Sequence, residues 1–137
     1  MLLLKKELYE EMLAHCMAAL PNEACGLVAG TIEGRNKRIS KVYLLHNVDE
    51  SPVHFSIDPK EQLAAYKDAR ANGKSILGNF HSHPSAPPEP SAEDKRLAYD
   101  PMLEYLIFSL QDRKQPRLKA FGIDREKNVT EHGIAIQ

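Results

Sequence analysis

Gly78–Leu97 reads GNFHSHPSAPPEPSAEDKRL, and these twenty positions set both the fold class and the chemistry. Ser75 to Ser82 has the composition of a central strand. Alternate side chains of a strand point the same way, so His81 and His83 share one face and Ser82 takes the other. Four prolines between Pro84 and Pro90 exclude helix and interior strand. A short helix is expected from about Ser91 to Ala98, and the turn can bring Asp94 back over the strand end. Two imidazoles and one carboxylate leave a fourth tetrahedral position open on zinc, the pattern of a catalytic site. Zinc lowers the pKa of a water molecule toward about 7. Hydrolysis also needs a base and an oxyanion donor, and Ser91 lies one helical turn before Asp94. Plainer readings exist. A His-x-His pair is by itself a weak metal signal, and Ser91-x-x-Asp94 fits a helix capping box. The box does not account for the histidines, and a carboxylate has oxygens for two roles.

Outward from this stretch the chain alternates between strand and helix patterns. Leu8, Met12, Cys16 and Leu20 mark the apolar face of a helix from about Lys5 to Ala19, ended by Pro21. Cys25 to Ile32 reads as a buried strand, Glu33-Gly34-Arg35-Asn36 as a turn, and Arg38 to His46 as the returning hairpin strand. A third strand is expected at Val53 to Ile57. Asp58 caps a helix that opens at Pro59 and stops near Asn72-Gly73. Leu103 to Leu110, Arg117 to Ile123 and Val129 to Ile136 read as three closing strands. No repeat or linker interrupts residues 1–137, so one α/β domain is expected, with strands central and helices outside.

Composition narrows the function classes. A chain of 137 residues can bury a core without disulfides. A net charge of −1 lacks the basic excess that nucleic acid demands. Two cysteines, Cys16 and Cys25, make no disulfide framework. The apolar start ends at Lys5 and Lys6, too short for a leader or a membrane span. The expectation is a cytoplasmic protein with neither nucleic acid nor membrane as a partner.

The pattern His81-Ser82-His83-Pro84, then Ser91-x-x-Asp94, resembles the JAMM motif of the JAB1/MPN/Mov34 zinc metalloprotease superfamily. The upstream glutamate of that motif is matched by Glu23 in Pro21-Asn22-Glu23-Ala24-Cys25-Gly26. Asn47, Ser51-Pro52 and Phe55 follow in the family's order, so the likeness spans nearly the whole chain. The resemblance implies a cytidine-deaminase-like α/β/α sandwich with a mixed central sheet. It implies zinc held by His81, His83 and Asp94, with Glu23 holding the attacking water as general acid/base and Ser91 steadying the oxyanion. It also implies a substrate class: bonds after the C-terminal Gly-Gly of ubiquitin-like or sulfur-carrier proteins. The chain lacks long insertions and is most similar to compact prokaryotic peptidases that release cysteine from a carrier–cysteine adduct. The RadC-like group shares the histidine pattern, but its helix-hairpin-helix module has no counterpart here.

Cys25 reads as a buried structural thiol rather than a nucleophile, and Cys16 as core. His15, His46, His54 and His132 read as surface or hydrogen-bonded histidines. A zinc deaminase would need His-x-Glu with Pro-Cys-x-x-Cys, and a cupin would be nearly all-β. The alternative from another class is a non-catalytic scaffold or binding module of the same fold, against which the five intact motif residues speak. A homodimer is compatible with the sequence. Ser51 to Ile57 is a candidate sheet edge for an extended Gly-Gly tail, with an ordinary connection as the alternative.

Overall fold

The computed structural model describes residues 1–137. The chain runs β1 (Leu2–Leu4), α1 (Lys6–Ala19), β2 (Cys25–Glu33), β3 (Asn36–Leu45), α2 (Pro59–Ala71), β4 (Ser75–His83), α3 (Ala92–Arg96), β5 (Glu104–Ser109), β6 (Arg117–Ile123), β7 (Val129–His132) and β8 (Ile134–Ile136). All eight strands form one mixed sheet in the order β7-β6-β5-β4-β2-β3-β1-β8. The β2–β3 hairpin turns through Gly34 at φ 64°, a left-handed conformation that glycine adopts without a Cβ clash. β4 is central, antiparallel to β2 and parallel to β5. Every residue of β5 is buried, as expected of an interior strand covered on both faces.

The helices cover opposite faces. Met12 and Cys16 of α1 join Val28, Phe80, Leu106 and Phe108 in the main core, and the rings of Tyr9 and Phe108 lie 5.5 Å apart. Leu27 and Tyr43 pair across the hairpin on the other face. There the Tyr43 hydroxyl donates to Asp68 of α2 at 2.7 Å. Asp58 caps α2 by accepting from the Lys60 N–H at 2.9 Å, with Pro59 at the first helical position. The expected layered arrangement, helices outside a mixed sheet, is what the chain forms.

Three expectations need correction. Val53 to Ile57 forms no strand. Its one ladder contact is an isolated bridge from Ile57 to Asn47, and the side chains of Ser51 and Asn47 take the Val53 N–H, the His54 carbonyl and the Ser56 N–H. It is therefore a connection and not a sheet edge. Val129 to Ile136 is two strands, because the chain bends at Gly133 and β8 pairs with β1 at the far end of the strand order. The sheet thus rolls until its two edges meet at Gly133, whose carbonyl accepts from the Leu2 N–H at 2.9 Å. Finally, the apolar start is itself a strand. Leu2 and Leu4 are buried in β1 between β3 and β8.

Candidate metal centre

β4 delivers His81 and His83 to the face opposite α1, both almost completely buried. The Pro84–Pro90 turn then carries the chain to α3, where Asp94 occupies the third helical position. The capping box forms as the sequence suggests: the Ser91 hydroxyl accepts from the Asp94 N–H at 3.0 Å, and Asp94 Oδ2 accepts from the Ser91 N–H at 2.9 Å. The same Oδ2 lies 3.2 Å from His81 Nε2 and 3.1 Å from His83 Nε2, and the two Nε2 atoms are 3.1 Å apart. The capping box and the approach of Asp94 to both imidazoles therefore coexist.

The chemistry of these donors fits a metal ion. His83 Nδ1 lies 2.8 Å from the Pro87 carbonyl. A carbonyl only accepts, so that nitrogen carries a proton; without a metal Nε2 of His83 donates to Asp94, and with one it would give up that proton and present its lone pair. Three acceptors would then converge on one point, an arrangement that a cation resolves. Edges of 3.1–3.2 Å also approach the roughly 3.3 Å separation of ligand atoms on a tetrahedral ion with about 2.0–2.1 Å bonds. His81, His83 and Asp94 are the one group of three such residues whose ligand atoms lie within 4.8 Å of one another. The proline turn is pinned from below. Ser109 of β5, buried, donates from its hydroxyl to the Ala86 carbonyl at 2.6 Å, next to the Pro87 carbonyl that orients His83.

Charge state follows from these contacts. Burial alone would raise the Asp94 carboxyl, but hydrogen bonds from His81 and His83 outweigh it and hold the group well below the usual carboxylate range. Burial likewise lowers His83, yet Asp94 and the Pro87 carbonyl together leave it raised. Glu23 behaves oppositely. Burial pushes its carboxyl up to about 8, with His83 opposing and Asp94 and Glu93 reinforcing the rise.

Glu23 reaches this place through strand register. Cys25 pairs with His81 across β2 and β4. One step earlier the Ser82 N–H donates to the Ala24 carbonyl at 3.1 Å, and the Ala24 N–H donates to the Ser82 hydroxyl at 2.8 Å. Two residues before Cys25, Glu23 falls on the face of His81 and His83. Its Oε1 is buried without a hydrogen-bond partner, as is His81 Nδ1. The Phe55 ring stacks on the His81 ring at 4.7 Å and 25°. A cleft of about 60 Å³ opens beside His81 and Asp94, lined also by Phe55, Asn79, Leu97 and Tyr105 among others.

The five motif residues are thus brought to one end of the sheet. Ser82 and Ser109 tie strand to strand and strand to loop, roles that no local pattern announces, and Asn47 enters the sequence pattern only as a landmark. Cys25 and Cys16 are buried thiols pushed up to about 12 by burial, the opposite of an activated nucleophile. His15, His46, His54 and His132 lie outside the cluster. His15 Nε2 sits 3.1 Å from the Cys25 carbonyl and 3.0 Å from that of Leu45, tying α1 to the hairpin.

Fold and site together define a mixed-sheet α/β protein of the JAB1/MPN class. The chain belongs to the prokaryotic JAB family: the family model for prokaryotic homologs of the JAB domain matches residues 5–123. Among characterised relatives it is similar to a desampylase of Pyrococcus furiosus, 30% identical over 110 residues, which are 80% of this chain and 76% of the relative. It is also similar to a CysO-cysteine peptidase of Mycobacterium bovis, 30% identical over 122 residues, 89% of this chain and 82% of the relative. A solution structure of a protein from Desulfitobacterium hafniense is 54% identical, with a TM-score of 0.92 over 100% of this chain and 93% of that one. A JAB1/MPN domain protein of Archaeoglobus fulgidus shares the fold at 20% identity, with a TM-score of 0.60 and 100% of both chains covered. No helix is long and apolar enough to cross a membrane.

Proposed function

We propose that the chain is a zinc-dependent peptidase that cuts the bond after the C-terminal Gly-Gly of a ubiquitin-like or sulfur-carrier protein. The observation that carries this reading is the convergence of His81, His83 and Asp94 beside the buried, unpartnered carboxyl of Glu23. His81, His83 and Asp94 would hold the ion. When bound, zinc supplies Lewis acidity, activating water and polarising a carbonyl near neutral pH.

The chain's own residues do the rest. Glu23, whose carboxyl sits near 8 before a cation is added, is suited to take a proton from water and return it to the leaving amine. Ser91 spends its hydroxyl oxygen on the Asp94 N–H and keeps its proton free to donate to the oxyanion. The Pro87 carbonyl keeps His83 in the tautomer that presents Nε2. Glycines suit a narrow cleft such as the one beside Phe55 and Tyr105 because they carry no side chain.

The relatives' names support ubiquitin-like and carrier conjugates as the substrate class, and cysteine release is one member of it. The test is a panel of small carriers bearing C-terminal extensions, including a carrier–cysteine adduct and a lysine isopeptide, read by mass spectrometry. We expect products ending in Gly-Gly, and no product when the penultimate glycine is replaced by valine. Unchanged cleavage of the valine-tailed carrier would remove the narrow-cleft argument.

A further inference from the structure

We infer that Asn47 is the positioning residue that couples the two halves of this site: the Glu23 peptide and the loop whose Phe55 packs on His81. Asn47 follows β3 and is buried, 6% exposed. Its side chain spends all of its hydrogen-bonding capacity in place. Nδ2 donates to the Glu23 carbonyl at 3.0 Å and to the His54 carbonyl at 3.0 Å. Oδ1 accepts from the Asp49 N–H at 3.1 Å and the Ser56 N–H at 3.2 Å. An amide is the one neutral side-chain group of this size with two donors and an acceptor able to take two bonds.

The partners explain why this matters. The carbonyl of Glu23 is held by Asn47, and the N–H of Glu23 donates to Ser51 of the same loop at 2.8 Å. Both peptide groups flanking the candidate acid/base therefore rest on one loop. Within that loop Asn47 grips the residues on either side of Phe55, His54 through its carbonyl and Ser56 through its N–H. Phe55 in turn lies flat on His81. A shift of the loop would thus move Glu23 and the support of a metal-holding ring together. No strand ladder fixes residues 48–56, so the side chain of Asn47 substitutes for one.

The test compares Asn47→Ala and Asn47→Asp with the wild type. The aspartate keeps both accepted bonds and the volume, so it serves if the alanine variant fails to fold. Its carboxylate meets the Glu23 and His54 carbonyls with no donor. In metal-free protein we expect the Glu23 amide to exchange about 10-fold faster or more. The NMR signals of the His81 ring protons should move as the Phe55 stack loosens, while the Leu106 and Phe108 amides stay protected. In zinc-loaded protein of full stoichiometry we expect kcat to fall about 10-fold or more, with KM within about 3-fold. This kinetic arm rests on the proposed peptidase reading, and the exchange and ring signals do not. A wild type that cleaves no carrier would sink that reading and leave the coupling to be decided by NMR alone. Wild-type exchange at Glu23 and unmoved His81 signals in a folded variant would overturn the coupling. Changed signals with an unchanged kcat would overturn the positioning role.

Discussion

Glu23 is the acid whose surroundings favour the proton, and predictions at the residue scale follow from that. Glu23→Gln should retain one zinc per chain by elemental analysis and lose about 10²–10⁴ in turnover, since an amide hydrogen-bonds but takes no proton. Its stability should change with pH in a defined direction. A carboxyl raised from about 4.5 to about 8 in the fold contributes stability below its unfolded pKa and loses it as pH rises through 8. In metal-free protein, thermal melts of Glu23→Gln and wild type should therefore diverge on alkalisation. The variant should be the more stable at pH 9, by on the order of 1–2 kcal/mol after allowance for solvent screening. A wild type as stable as the variant at pH 9 would mean that Glu23 ionises freely. His81→Ala and His83→Ala should each abolish stoichiometric zinc. His81, His83 and Asp94 were legible because strand alternation and one helical turn are local rules. Glu23 was not, because its distance from them is set by pairing between strands far apart in sequence. It came through resemblance of a motif.

At the scale of elements, the site depends on how β4, the proline turn and α3 are joined. Ser109→Ala removes the donor that pins the Ala86 carbonyl and frees the turn that presents the Pro87 carbonyl to His83. Outer contacts of this kind are typically worth about 10–100-fold in metal affinity, so competition with a chelator should show zinc binding weakened by about 10-fold. An unchanged affinity would mean that the prolines alone hold the turn. Gly26 makes a second test, because a methyl group there would overlap the Phe80 ring and the Tyr43 carbonyl. Gly26→Ala should cost about 1–3 kcal/mol in urea unfolding. Helices α1 and α2, the hairpin and the central strand were readable from periodicity, Gly34 and Pro59. The Val53 to Ile57 strand was not realised, because an apolar-polar alternation does not reveal that a buried asparagine already occupies the backbone groups. β1 escaped notice because three leucine-rich residues show no period.

The whole molecule is closed by contacts that no local rule foretells. Glu104, buried at the start of β5, accepts from Lys37 of β3 at 3.1 Å and lies 2.7 Å from Nδ1 of His132 of β7. These bonds stitch the rolled sheet near the point where β7 gives way to β8. Glu104→Ala should cost about 2 kcal/mol or more by removing the shared partner of Lys37 and His132, measured by urea unfolding, and should leave zinc stoichiometry intact. Loss of zinc in a folded variant would show the stitch and the site to be coupled. The bend at Gly133 could be recognised only once Leu2 and Leu4 were seen to need a covering strand. The central claim, that this closed scaffold holds a metal-dependent peptidase, comes down to one measurement. Zinc-loaded protein is incubated with a Gly-Gly-tailed carrier extended at its C-terminus, and the intact carrier mass is recorded with and without chelator, beside Glu23→Gln. The account predicts a new mass ending at Gly-Gly for the wild type, lost on chelation and in the variant. Equal cleavage by zinc-loaded Glu23→Gln, or no cleavage across the panel by stoichiometrically loaded wild type, would contradict it.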